Sequence, residues 1–173
     1  MHELILGGVR SGKSAHGEAL AVQSGCHVTY IATAQVHGDS EMHSRIEAHR
    51  LRRPEHWALE EAPLALGDAI DRHARADHLL LVDCLTLWLT NLLLDDEARF
   101  TCERARLLEA LDAAPGRVVM VSNEVGQGVV PMNALSRRFV DEAGRLHQAL
   151  AARCQRVWWV VAGLPQCLKG DGA

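Results

Sequence analysis

Eight residues near the start of the chain, Gly7-Gly8-Val9-Arg10-Ser11-Gly12-Lys13-Ser14, match G-x-x-x-x-G-K-[ST] at every fixed position. The chemistry this suits is the binding of a polyphosphate. Glycines let the backbone bend so that successive N–H groups point inward at phosphate oxygens. A helix opening at Lys13 adds the positive end of its dipole. Lys13 then reaches the β- and γ-phosphates, and Ser14 ligates Mg²⁺. Arg10 and Ser11 offer further donors. An apolar run ends at Gly7 and a helical pattern begins at Lys13, which is the setting such a loop needs.

A loop of this kind works with an acidic residue at the end of a neighbouring strand, and Leu79-Leu80-Leu81-Val82-Asp83 supplies one. Asp83 holds Mg²⁺ beside Ser14 in one reading and caps the segment after it in the other. Ser122-Asn123-Glu124 closes another apolar run. It is either a second polar group at the same edge or a turn before Gly126 and Gly128.

The segment from Met42 to Pro54 is dense in histidine and arginine. At helical spacing Arg45, His49, Arg52 and Arg53 share a face. Like charges this close cost stability unless an anion sits among them, and a triphosphate is such an anion. Neighbouring arginines disfavour protonation of His49, and a neutral imidazole is a competent nucleophile toward phosphorus. A solvated basic face with incidental histidines is the plainer reading. Zinc suits the segment poorly, because histidines six apart diverge by roughly 120° on a helix.

These groups need elements to place them. Apolar runs at Glu3–Gly7, His27–Ala32, Leu79–Asp83, Arg117–Ser122 and Val157–Ala162 read as strands buried on both faces. Helical periodicity is expected over Lys13–Gln23, Glu41–Arg53, Pro63–Ala76, Thr101–Ala113 and Asn133–Arg153. Alternating strands and helices predict an α/β domain with a mostly parallel central sheet flanked by helices. Right-handed crossovers then gather the strand C-termini along one edge. The tail from Lys169 to Ala173 reads as frayed.

The 173 residues fit one domain, 1–173, with 48 % apolar and 23 % charged residues. A net charge of −4 gives no pull toward nucleic acid or an anionic membrane. No apolar run approaches the roughly 20 residues of a membrane span. Five scattered cysteines without a CxxC pair read as free thiols in a reducing cytosol.

Taken together, the chain resembles the bifunctional adenosylcobinamide kinase / adenosylcobinamide-phosphate guanylyltransferases. The matching blocks run in order along nearly the whole chain: Leu4 to Ser14, Tyr30 to Gln35, Arg45-Ile46 with His49-Arg50, and Arg53-Pro54 with Trp57. They continue with Val82 to Thr86, Thr90 to Leu93, Val121 to Pro131, and Arg137 to Arg145. The resemblance implies a P-loop NTPase (RecA-like) fold, a homotrimer, and two reactions. A nucleoside triphosphate, ATP or GTP, phosphorylates adenosylcobinamide; GTP then donates GMP to the product through a GMP–histidine intermediate. By the same matching His49 is the nucleophile. Nucleotide contacts are implied for Gly7 to Ser14, for Thr33, Ala34 and Gln35, for Arg50, Leu51, Arg52 and Arg53, for Glu61 (with Glu60 the alternative match) and for Asp83. Another small-molecule kinase without the histidine step, or a nucleotide-switched binding module, would share the loop but not these blocks.

Overall fold

The structure, a computed structural model, describes residues 1–35 and 54–170. The helix expected over Glu41–Arg53, with His49 and Arg50 to Arg53, lies outside the described residues.

The chain runs β1 (His2–Gly7), α1 (Lys13–Gln23), β2 (His27–Ala32), β3 (Ala58–Glu61), α2 (Leu66–His73), β4 (His78–Asp83), α3 (Leu85–Leu94), α4 (Glu97–Ala113), β5 (Arg117–Asn123), α5 (Ala134–Arg153), β6 (Arg156–Val161) and β7 (Leu164–Lys169). The seven strands form one sheet in the order β3-β2-β4-β5-β1-β6-β7. All pairs are parallel except β6–β7, an antiparallel hairpin.

Successive residues of a strand face opposite sides of the sheet, so an all-apolar strand must be covered on both. Leu80, Val82, Val118 and Met120 pack into one core with α2 to α5. Their neighbours Leu79, Leu81, Val119 and Val121 face a second core with Ala21 of α1. Burial of these runs supplies the main drive to fold, at about 25 cal/mol per Å² of apolar surface.

Three elements depart from the sequence reading. The stretch Leu85–Leu94, apolar at seven of its ten positions, is helix α3, with Leu85, Trp88, Leu89 and Leu92 buried. Near-continuous apolar sequence carries little periodicity, which hides a buried helix. β3 escaped notice because its residues Ala58-Leu59-Glu60-Glu61 are short, half charged and mostly exposed at the sheet edge. β7 is likewise exposed, and it overturns the frayed tail at Lys169, which pairs with Val157 and donates from Nζ to the Ala151 carbonyl at 2.7 Å. Helix bounds shift as well. α2 begins at Leu66 rather than Pro63, and α4 begins at Glu97, where the Asp96 side chain accepts the Arg99 amide. All five cysteines are free. Among the described residues no helix is long and apolar enough to cross a membrane.

Candidate functional site

The site grows from the end of β1. A Cβ at Gly7 would come within 2.5 Å of Ser11 Oγ and 2.6 Å of the Val160 carbonyl, so the loop folds back tightly over its own strand. Gly12, at φ 94°, lies in the left-handed region, and its Cβ would sit 3.0 Å from Gly163 Cα. The Gly163 amide donates to the Ser11 carbonyl at 2.8 Å, tying the β6–β7 turn to the loop. Val9 and Arg10 face solvent, whereas Ser11 is buried. Helix α1 then starts at Lys13. Lys13 is only 9 % exposed, and its Nζ donates to the Gly8 carbonyl at 3.0 Å. Burial pushes the Lys13 ammonium pKa down, and the negative charge of Asp83 opposes that.

Asp83 ends β4, level with Ala32 of β2 and Val121 of β5. Asp83 does not occupy the capping position: the N-cap of α3 is Cys84. The expectation that Asp83 sits on the strand next to the loop needs correcting. β5 lies between β1 and β4, so Asp83 is two strands away, about 10 Å by strand spacing. Sequence order said nothing of this, because strand order in a parallel sheet is set by the crossovers.

Thr33 follows β2 and is fully buried. Its hydroxyl donates to the Cys84 carbonyl at 2.7 Å and accepts the Cys84 amide at 3.0 Å. Asn91 Nδ2 donates to the Thr33 carbonyl at 2.9 Å. Thr33 thus ties the end of β2 to the residue after β4 and, through Asn91, to α3. Ala34 and Gln35 line a groove of about 430 Å³ with Leu87, Thr90, Asn91 and Asp95 among its walls. Glu61 ends β3 and is exposed, whereas Glu60 binds Arg72 and places Oε2 3.2 Å from His73 Nε2. Glu60 is therefore committed to α2, and strand alternation turns Glu61 to the opposite face. β2 and β3 stand three and four positions from β1, about 14 and 19 Å. The structure thus gathers Gly7 to Ser14 with Asp83, and sets Thr33, Ala34, Gln35 and Glu61 farther along the same edge.

The end of β5 falls beside the loop. Asn123 pairs with Gly7, and the Glu124 amide donates to the Gly7 carbonyl at 3.0 Å. Both readings of Ser122–Glu124 meet here, since Glu124 Oε1 also accepts the Gly126 amide at the turn. No motif in the sequence singles out His147. It is buried, with Nε2 2.7 Å from Ser122 Oγ and Nδ1 3.7 Å from Glu124 Oε2. Thr86 joins this group, its hydroxyl accepting the Asn123 amide at 2.7 Å. The one sequence signal was the polar strand end; nothing local connects it with a histidine 23 residues further on.

The cobinamide kinase / cobinamide phosphate guanyltransferase family model matches residues 3–168. The chain belongs to this family. Within the family it is 61 % identical to the bifunctional adenosylcobalamin biosynthesis protein CobP of Pseudomonas aeruginosa, over 99 % of both chains. It is 42 % identical to the bifunctional adenosylcobalamin biosynthesis protein CobU of Escherichia coli, over 93 % of this chain and 96 % of that one. Among solved structures, the RadB recombinase superposes with a TM-score of 0.52 at 14 % identity, covering 91 % of this chain and 73 % of that one. A protein from Pyrococcus horikoshii superposes at 0.56 with 7 % identity, covering 99 % and 87 %. The fold of this family member is thus the RecA-like P-loop α/β fold, as its strand order and phosphate loop require.

Proposed function

We propose that this chain phosphorylates the free hydroxyl of adenosylcobinamide with a nucleoside triphosphate, then transfers GMP from GTP to the resulting phosphate through His49. The observation that carries the reading is the family match across residues 3–168, nearly the whole chain.

The chain's own residues divide the work. Backbone amides from Gly8 to Ser14 and the start of α1 hold the phosphates in a fixed polar cradle. Lys13, already turned into the loop, exchanges its Gly8 carbonyl for phosphate oxygens. Ser14 and Asp83 would hold Mg²⁺: a hydroxyl and a carboxylate are the hard oxygen donors this ion takes, and Asp83 lies close enough to Lys13, next to Ser14, to act on its charge. Bound there, Mg²⁺ neutralises charge building on the phosphates. In the second reaction the His49 imidazole nitrogen bonds the α-phosphorus as the bond to pyrophosphate breaks. A cobinamide phosphate oxygen then displaces the histidine, which returns free. Arg50 to Arg53 neutralise the triphosphate in this account, and Thr33 to Gln35 with Glu61 serve the side of the site away from the P-loop.

Incubation with GTP labelled at the α-phosphate should leave an acid-labile GMP adduct on His49. His49→Ala should abolish guanylyl transfer and retain phosphorylation of cobinamide. A protein that binds GTP and acquires no label, or a variant that loses both activities equally, would overturn the assignment. The same reading carries a homotrimer and a cytosolic location, the latter supported by the five free thiols.

A further inference from the structure

The kinase reaction needs a group to take the proton of the attacking hydroxyl, and neither the P-loop nor His49 supplies it. Several carboxylates border the edge. Glu60 is bound by Arg72 and faces His73. Glu61 is on β3, four strands from β1, about 19 Å away. Asp83 is level with Val121, deep beside the phosphate cradle. Glu124 is three residues beyond Val121 along β5, about 10 Å farther out at 3.3 Å per residue. Its backbone is pinned to the first residue of the loop, by the 3.0 Å bond from its amide to the Gly7 carbonyl. It therefore stands at the entrance of the loop, on the carboxyl edge of the sheet where ligands of open parallel sheets bind.

Its carboxylate is also aimed. Oε1 accepts the Gly126 amide, and Oε2 faces Nδ1 of the buried His147 at 3.7 Å. The carboxylate favours the proton on Nδ1, which leaves Nε2 to accept from the Ser122 hydroxyl at 2.7 Å. Ser122 lies 3.4 Å from Thr86, and Thr86 accepts the Asn123 amide. The group thus forms a polarised chain of hydroxyls and imidazole ending on one carboxylate, which retains 20 % of its side-chain exposure.

From this placement, and resting on the function proposed above, we infer that Glu124 is the general base of the phosphoryl-transfer step and that His147 is its positioning residue. The substrate hydroxyl gives its proton to Glu124 as its oxygen bonds the γ-phosphorus. The β,γ-bridging P–O bond breaks, and its electron pair leaves with the nucleoside diphosphate. Glu124 then returns the proton to solvent. The guanylyl steps have no such need, since a phosphate oxygen and an imidazole attack without giving up an alcohol proton.

The test compares E124Q and H147Q with the wild-type chain, using adenosylcobinamide, ATP or GTP, and Mg²⁺. Glutamine keeps the oxygen that accepts the Gly126 amide, so the turn is preserved. For E124Q the kcat of cobinamide phosphorylation should fall by about 100-fold or more, with the KM for nucleotide unchanged and GMP labelling of the protein still seen. H147Q should show a smaller fall, also in kcat alone. Phosphorylation by E124Q within threefold of wild type overturns the inference. So does loss of nucleotide binding or of the melting transition in step with activity, which would make Glu124 a structural pin. Wild-type protein that labels with GMP but never phosphorylates cobinamide removes the kinase reading and this inference together; wild-type phosphorylation with an unaffected E124Q removes the inference alone.

Discussion

His2 and His147 are buried, and burial lowers the pKa of each below the ordinary 6.5. His2 is held by the Leu111 carbonyl 2.9 Å from Nε2. That contact and Asp112 pull its pKa back up, without cancelling the desolvation. Both histidines therefore fold neutral. The sign follows from proton counting: as pH falls below about 6.5, the unfolded chain takes up protons that the folded chain refuses, so stability declines with falling pH. The loss runs from the unfolded value down to the lower folded values. Urea unfolding between pH 7.5 and 5 should show this slope, and His2→Gln should flatten it. An unchanged slope in that variant would exclude His2 as a contributor. Lys13 presents the opposite balance, a buried cation partly compensated by Asp83.

At the scale of elements, the phosphate loop is held by its neighbours as much as by its own sequence. The β6–β7 turn supplies Gly163, whose amide binds the Ser11 carbonyl and whose Cα limits the room at Gly12. Alanine at Gly12 meets two obstacles, a left-handed φ of 94° and a 3.0 Å approach to Gly163. Gly12→Ala should cost about 1–3 kcal/mol of stability and loosen nucleotide binding, read by thermal unfolding with and without GTP. A variant that melts and binds like wild type would show that the turn yields freely. Helix α3 plays the matching part on the other side. Trp88 is fully buried and donates from Nε1 to the Leu64 carbonyl at 2.7 Å. Asn91 binds the Thr33 and Pro63 carbonyls, both at 2.9 Å. The helix thus fixes the segments that leave β2 and β3.

For the whole molecule, the decisive feature is the insertion of β5 between β1 and β4. It separates the strand that leads into the loop from the strand that ends on Asp83, and brings Glu124 to the loop. Large apolar side chains remain exposed on the surface, Val129 and Met132 at 97 % each and Leu164 at 73 %. The homotrimer of the proposed function is expected to appear in light scattering as three times the 19.0 kDa chain mass. A monomer mass at micromolar concentration would refute it.

Much of this was legible in the sequence. The loop from Gly7 to Ser14 reads directly, since its chemistry needs particular residues at fixed local spacing. The five central strands read because burial on both faces makes them mostly apolar. α3 did not, as seven apolar residues in ten, spread around the helix, leave too small a polar face to betray its period. β3 and β7 did not, because edge strands bury too little to constrain their composition. The link between Ser122, Glu124 and His147 belongs to the tertiary structure alone. It joins a strand end to the middle of the following helix, and only the packing of α5 on the sheet brings them within hydrogen-bonding range. Local chemistry is written in residue types and spacing. Strand order and cross-element contacts come from how the layers pack, which no short stretch of the chain encodes.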